Sequence, residues 1–208
     1  MTKPSDITAV RDALNQGGVA LLPTETVYGL AANAQSAAAM NKLYSLKGRD
    51  YSKPIALCVK AIATAKHLVE WSEAAQALTQ HFWPGPLSLV MPAKDGLYLD
   101  QRLFGRYATG RRSLSLRCPD IDWRENLGVN FLALTSANRS GEPDSTDFET
   151  AHDLLGEYVD AAYHGEPSPL ATPSTIIAID EEERLSCLRW GALEPEDFAP
   201  LNLDWASQ

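Results

Sequence analysis

Short apolar runs that alternate with helix-like segments constrain the fold of this chain more than any other feature. The runs are VALL (19–22), IALCV (55–59), LSLVMPA (87–93), SLSLRCP (113–119), FLALTSAN (131–138) and STIIAID (174–180). Runs of this length bounded by Gly, Pro and polar residues are typical of strands. Helical spacing predicts helices over 5–16, 36–46, 61–81 (one or two segments) and 148–155. The alternation therefore predicts an α/β domain with a mixed sheet.

The ends of these elements carry recognisable signals. Ser5 and Ser36 are expected to cap the first two helices, because a serine side chain can accept from the free N–H groups of a first turn. Residues 94–112 are charged and weakly periodic, so they are predicted to form a loop or lid-like excursion. In SLSLRCP, a period of two places Ser113, Ser115 and Arg117 on one strand face.

The 208 residues show no repeat or low-complexity linker, and we expect one domain over residues 1–208. The three cysteines are far apart, which argues against a disulfide framework and fits a reducing compartment. The sequence has no apolar run of about 18 residues, the length that a membrane span needs. We therefore expect a cytoplasmic protein without membrane association.

Charge is distributed unevenly around a net value of -9. Residues 42–117 hold 12 Lys and Arg against 5 Asp and Glu, whereas the rest of the chain holds 6 against 22. A basic segment in an acidic chain indicates either a positive cavity for an anionic small molecule or a solvated basic face. The acidic total argues against binding nucleic acid through an overall positive field.

Familiar catalytic motifs are absent from the sequence. It contains no GxxxxGK[ST], GxGxxG, GxSxG or HExxH pattern, and its four histidines lack metal-ligand spacing. A catalytic metal held by protein side chains is therefore not expected.

Cations and hydroxyls lie instead at the ends of predicted elements. Lys47, Arg49 and Lys53 could surround phosphates, or could form a solvated basic turn at a helix C-terminus. Arg117 lies on a predicted interior strand, where it must capture a carboxylate or form a structural ion pair. The remaining candidates, which could bind an anion or simply cap a turn or a strand end, are Ser136, Asn138, Ser140, Ser174, Thr175 and Arg189.

Seven stretches in a fixed order carry a resemblance. PTETVYGL, KGRDYSKPIAL, FWPGPLSLVMP, SLSLRCP, TSANRSGEP, PSTIIAID and LRWGAL together resemble the short-form threonylcarbamoyl-AMP synthases of the YrdC-like family. The resemblance covers about residues 8–195, and no C-terminal extension domain of the longer members is expected. It implies a twisted, open mixed sheet with flanking helices around a large basic concave cavity.

The resemblance also implies an activity. Members of this family are nucleotidyltransferases that condense L-threonine, bicarbonate and ATP to L-threonylcarbamoyl-adenylate, with release of pyrophosphate. Mg²⁺ is expected to be carried with ATP. Downstream enzymes would transfer the threonylcarbamoyl group to tRNA, so contact with tRNA or double-stranded RNA is a further expectation.

The family's residue roles map onto this sequence position by position. The resemblance implies catalytic roles for Lys47, Arg49, Ser136 and Asn138. The threonine-binding positions it implies are Thr26, Tyr28, Arg117 and Ser174. The ATP-binding positions it implies are Lys47, Arg49, Lys53, Ser113, Ser136, Asn138, Ser140 and Arg189. Departures from the usual pattern include Lys53 in place of an asparagine, Cys58 in place of a histidine, Asp144 in place of a serine, and IDW in place of HP after CPD.

Two alternatives remain beside the synthase. One is a paralogue of the same fold, either YciO-like or forming carbamoyl-adenylate, and the other is a non-catalytic module that binds double-stranded RNA. The net charge of -9 argues against the RNA module, while PTETVYGL and the intact SxN pair favour the threonine enzyme over the YciO-like branch.

Overall fold

The computed structural model describes residues 6–206, and within them one mixed sheet carries the fold. Its strands are β1 (Val19–Leu22), β2 (Gly29–Ala32), β3 (Ala56–Val59), β4 (Leu87–Pro92), β5 (Phe104–Arg106), β6 (Arg112–Arg117), β7 (Phe131–Ser136), β8 (Ala161–Ala162), β9 (Thr175–Ile179) and β10 (Leu185–Arg189). The helices are α1 (Ile7–Asn15), α2 (Ala37–Lys47), α3 (Ile62–Leu68), α4 (Glu73–Phe82), α5 (Trp123–Asn126), α6 (Phe148–Leu155) and α7 (Pro195–Phe198). None of these helices has the length and apolar character needed to cross a bilayer.

The strand order in the sheet is β10-β9-β4-β6-β3-β7-β2-β1-β8, and β5 pairs with β6 outside this path. The β3·β6, β4·β9 and β1·β8 pairs are parallel and the other pairs are antiparallel. The sheet is therefore mixed, and the α/β fold class predicted from the alternating segments is confirmed.

The two faces of the sheet are covered unequally. One face packs against α2, α3, α4 and α6 and forms the larger core, which includes Leu57, Leu89 and Leu116. The other face packs against α1 and α5 in a smaller core around Leu22, Leu132 and Trp123. Because successive strand residues point to opposite faces, the neighbours of the larger-core residues on β4, β6 and β9 point to the less covered face.

The predicted helix starts can be compared with the observed caps. The Ser5 prediction lies outside the described residues, and the observed N-cap of α1 is Asp6, whose carboxylate accepts from the Ala9 N–H at 2.8 Å. Ser36 caps α2 as predicted. α2 ends at Gly48, whose φ of 57° is left-handed and costs glycine little, so the chain turns sharply before Arg49.

The prediction for residues 94–112 was wrong in part. Residues 104–106 form β5, which pairs with β6 through the Phe104↔Leu114, Gly105↔Ser113 and Arg106↔Arg112 register. The pairing with β6 holds FGR as a strand. The sequence FGR alone predicts no strand, because three residues are too few to show a periodicity. The four-residue strand β2 was also missed, since its sequence GLAA directly follows the polar PTETVY stretch.

The unequal cover of the sheet generates a stability prediction. Leu114 is fully buried in the larger core, whereas the next residue, Ser115, lines the open face. We expect Leu114→Ala to lower the free energy of unfolding by about 2–5 kcal/mol through lost burial and a residual cavity. Ser115→Ala should change it by no more than about 0.5 kcal/mol. Urea denaturation of the two variants measures the difference, and equal losses would contradict the assignment of the two faces.

Candidate active site

A cleft occupies the less covered face of the sheet. It encloses about 850 Å³ of empty space, open solvent at its mouth included, which is in the range of small-molecule sites. Three arginines line it: Arg49, Arg117 and Arg189. Its hydroxyl-bearing lining residues are Thr24, Thr26, Tyr28, Ser88, Ser115, Thr135, Ser136 and Ser174.

Arg49 and Arg189 are held by neutral groups. Arg49 donates through Nε to Lys53 O at 3.0 Å and through Nη2 to Pro54 O at 2.8 Å. Arg189 donates through Nε and Nη2 to Ser174 O, at 3.2 and 2.6 Å. Burial lowers the pKa of Arg189; Asp144 raises it, and the nearby Arg117 and Arg49 lower it further. The three guanidinium groups are therefore close enough that Arg117 and Arg49 act electrostatically on Arg189.

Arg117 is the most enclosed of the three, with 8% of its surface exposed. Its Nε donates to Gly85 O at 3.2 Å and its Nη1 donates to Thr26 Oγ1 at 2.8 Å. Its Nη2 lies 2.7 Å from Glu25 Oε1. The sequence left a structural ion pair and carboxylate capture open, and the structure shows an ion pair on a residue that also lines the cleft.

The hydroxyl group of Thr26 donates its hydrogen bond in one defined direction. Thr24 Oγ1 donates its single hydrogen to Val27 O at 2.6 Å, so the 2.8 Å contact between Thr24 Oγ1 and Thr26 Oγ1 must use the Thr26 hydrogen. Because Arg117 donates to the same Thr26 oxygen, Thr26 has only a lone pair left for a ligand. Thr26 borders the cleft but is fully buried, so a ligand that approaches its oxygen must bring a donor, such as an amine or a hydroxyl.

Tyr28 lines the cleft, but its hydroxyl serves the protein. The hydroxyl donates to Gly165 O at 2.8 Å and accepts from Gly165 N at 3.2 Å. Burial raises the pKa of Tyr28 to about 12. The phenol thus ties the segment after β8 to the cleft wall, and its predicted contact with threonine would have to come from the ring or backbone.

Lys47 lies behind the cleft wall rather than in it, with 3% of its surface exposed. Its ammonium donates to Ser136 O at 2.7 Å, to Ser136 Oγ at 2.9 Å and to Asn138 Oδ1. Its backbone oxygen accepts from Ser140 N at 2.8 Å. All three ammonium hydrogens are used within the Ser136–Asn138 turn, so Lys47 joins the end of α2 to the end of β7.

Further hydrogen bonds and nearby charges act within the network around Lys47. Ser136 Oγ donates to Asn138 Oδ1 at 2.7 Å, and Asn138 Nδ2 donates to Glu142 O at 2.5 Å. Burial lowers the pKa of Lys47 to about 8; Asp144 raises it and Arg49 lowers it. Asp144 is thus the carboxylate that acts electrostatically on both Lys47 and Arg189.

The structure separates the predicted site residues into two groups. Those that line the cleft are Thr26, Tyr28, Arg49, Arg117, Ser136, Ser174 and Arg189. Lys47 and Asn138 lie behind Ser136, while Lys53 and Ser140 are exposed outside the lining. Ser113 is buried on β6 opposite Gly105 of β5, where a Cβ at Gly105 would lie 2.7 Å from its Oγ.

Sequence reasoning missed other lining residues. Ser88 Oγ lies 2.9 Å from Ser174 Oγ, and Ser115 and Thr135 complete the lining on β6 and β7. Ser115 could have been found, because it lies between Ser113 and Arg117 on the predicted polar face. Cys58 also lines the cleft, where burial raises the pKa of its thiol to about 12 and keeps it protonated at neutral pH.

The chain is similar in sequence to known proteins. The profile of the Sua5/YciO/YrdC family, described as "Telomere recombination", matches residues 12–191. A threonylcarbamoyl-AMP synthase of Bacillus subtilis is 31% identical over 98% of this chain, and a putative one of Mycobacterium leprae is 35% identical over 81%.

The structural comparison agrees with the sequence comparison. The crystal structure of P. abyssi Sua5 complexed with L-threonine superposes with a TM-score of 0.85, at 26% identity over 96% of this chain. The match spans 59% of the Bacillus protein, 76% of the Mycobacterium protein and 58% of the P. abyssi protein. The chain therefore spans about three fifths of two of these relatives.

Burial of the Lys47 ammonium predicts a pH-dependent stability. An unfolded lysine keeps its proton up to about pH 10.5, whereas folded Lys47 releases it near pH 8, so the unfolded state binds more protons between these values. Stability should therefore rise with pH in this window. Relative to Lys47→Met, which cannot titrate, the wild type should gain about 2 kcal/mol between about pH 7.5 and about pH 9.5.

Chemical denaturation at the two pH values measures this gain. Lys53→Met, which replaces a lysine exposed to solvent, is the matched control. If the stability difference between wild type and Lys47→Met stays constant or falls with pH, the ammonium is not buried as described.

Proposed function

Because the chain belongs to the Sua5/YciO/YrdC family, we propose that it catalyses the condensation of L-threonine, bicarbonate and ATP to L-threonylcarbamoyl-adenylate and pyrophosphate. The observation that carries the proposal is the convergence of Arg49, Arg117 and Arg189 on one cleft that also contains hydroxyl groups. Such a cleft suits a reaction in which anionic reactants must be brought together. Relatives named threonylcarbamoyl-AMP synthase support the choice of reactants.

We place the amino acid at Arg117. The Nη1 group keeps one N–H beyond the one donated to Thr26, and it can donate to an α-carboxylate, whereas Nη2 is buried against Glu25. The lone pair of Thr26 Oγ1 can accept from the threonine amine or hydroxyl, and Ser174 lies close by on the same wall. The threonine complex of the P. abyssi protein supports an amino-acid site in this fold.

We place the phosphates of ATP between Arg49 and Arg189, whose side chains line the cleft and keep N–H groups beyond those donated to backbone oxygens. Ser136 lines the same region, and Lys47 and Asn138 would act there by holding Ser136 in place. Lys53, Ser113 and Ser140 lie outside the cleft lining, and their contacts with ATP stay predictions. Mg²⁺ would enter with ATP as part of the substrate, coordinated largely by phosphate oxygens and water.

The chemistry requires no nucleophile from the protein. The threonine amine adds to the bicarbonate carbon, water leaves, and a carbamate forms. A carbamate oxygen then attacks the α-phosphorus of ATP, the bond from that phosphorus to the bridging oxygen breaks, and pyrophosphate leaves. Preorganised guanidinium groups would stabilise the negative charge on the phosphoryl oxygens and the leaving group.

This reaction would make the protein a nucleotidyltransferase. Its product is a mixed anhydride, which a separate transfer enzyme would consume to modify tRNA.

Pyrophosphate release by the purified protein tests the proposed reaction. With ATP, Mg²⁺ and bicarbonate, L-threonine should accelerate release well above the rates with L-serine or no amino acid. Carbamoyl phosphate should give no release beyond the background. Threonine-independent turnover with carbamoyl phosphate would instead assign a carbamoyl-adenylate-forming activity and contradict the proposal.

A variant of Arg49 tests the phosphate assignment. Arg49→Ala should lower the threonine-dependent rate of pyrophosphate release about 100-fold or more, by analogy with the loss of one preorganised donor in other active sites. Arg106→Ala is the matched control, because Arg106 is exposed and does not line the cleft. Near-wild-type release by Arg49→Ala would remove Arg49 from the catalytic machinery.

A further inference from the structure

Glu25 places a carboxylate directly behind Arg117. Its Oε1 lies 2.7 Å from Arg117 Nη2, and only 11% and 10% of the two side chains are exposed. Both Glu25 oxygens are buried and accept no well-aligned hydrogen bond from the described residues. The contact with Arg117 is therefore a close ion pair rather than an aligned hydrogen bond.

Glu25 cannot reach a ligand in the cleft. It is absent from the cleft lining and instead borders a second, acidic cleft with Asp120, Asp122 and Glu166. Thr24 belongs to both clefts, so the segment from Thr24 to Thr26 is the wall between them. Glu25 can influence the first cleft only through Arg117.

The three arginines consequently differ in net charge. Arg117 and Glu25 together sum to zero, whereas Arg49 donates to the backbone oxygens of residues 53 and 54 and forms no ion pair with a carboxylate among residues 6–206. Arg189 is held by the backbone oxygen and hydroxyl of Ser174, and Asp144 acts on it by a Coulombic interaction without an ion pair among the described residues. The cleft thus has a neutralised end and a cationic end.

These ends suit different ligands. A free amino acid is a zwitterion with no net charge, and it can use directional hydrogen bonds from Arg117 while its ammonium tolerates the nearby carboxylate. A polyphosphate carries several negative charges, and a carboxylate a few Å behind the guanidinium repels it. Specificity of this kind needs a repulsive element as well as an attractive one.

We propose that Glu25 is a specificity-determining residue that reserves the Arg117 end of the cleft for the zwitterionic amino acid by repelling phosphates. The identity of the two reactants rests on the proposed function above. The partition of charge between the two ends does not, because it follows from the ion pair alone.

Binding of inorganic pyrophosphate, measured by calorimetry without amino acid or ATP, tests the proposal. Glu25→Gln keeps the side-chain shape but leaves Arg117 unneutralised, so pyrophosphate should bind about tenfold more tightly or at an additional site. Pyrophosphate should also compete with L-threonine in this variant and not in the wild type. Glu166→Gln is the matched control, since it removes one exposed carboxylate from the second cleft without touching Arg117.

A double variant keeps the test independent of the folding of Glu25→Gln. In Glu25→Gln/Arg117→Gln two amides replace the buried pair, and pyrophosphate affinity should stay within about twofold of the wild type. A large loss in the double variant would show that phosphate normally reaches Arg117 and would overturn the proposal. An unchanged affinity in a folded Glu25→Gln variant would overturn it as well. Neither measurement depends on catalytic turnover. The binding result can therefore be interpreted even if the threonine reaction fails.

Discussion

The two-residue alternation of side chains along β4, β6 and β9 is the constraint on which the rest of the structure depends. On β6, Leu114 and Leu116 join the core under the helices, which forces Ser115 and Arg117 onto the opposite face. On β4 and β9 the same rule pairs Leu89 and Ile177 with the cleft residues Ser88 and Ile176. Among residues 6–206, α1 and α5 are the helices that pack on that opposite face, and the cleft lies on the part of the sheet that they leave open.

Charged side chains that line a cleft on a sheet face need polar or charged partners, because burial removes them from water. Removing one member of a buried ion pair is costly, and an unpaired buried charge is costlier than a paired one. Arg117 meets this requirement with Glu25, and Lys47 meets it with three oxygen acceptors from Ser136 and Asn138. These contacts orient the side chains before a ligand arrives, so the ligand does not have to supply the ordering.

Sequence reasoning succeeded where the signal was local. Helices α2 and α6 and strands β4, β6 and β9 follow from periodicity and capping, and the interior position of Arg117 followed from the alternation in SLSLRCP. It failed where the cause lies in distant parts of the chain. The pairing of Glu25 with Arg117 joins residues far apart in sequence, and β5 exists because β6 is beside it. No spacing rule could show that Lys47 points behind the cleft while Arg49 points into it.

The spacing of Lys47 and Arg49 gains a physical reason from the turn between them. Lys47 is the last residue of α2, and the chain turns at the left-handed Gly48, after which Arg49 lines the cleft while Lys47 stays buried behind Ser136. One short segment therefore supplies both a support for the Ser136 turn and a charge for the cleft. The PTET segment divides its roles in the same way. Thr26 lines the cleft, whereas Glu25 borders the second cleft. In both segments one residue lines the cleft, and a residue one or two positions away fixes the geometry. A reaction without a protein nucleophile depends on that geometry.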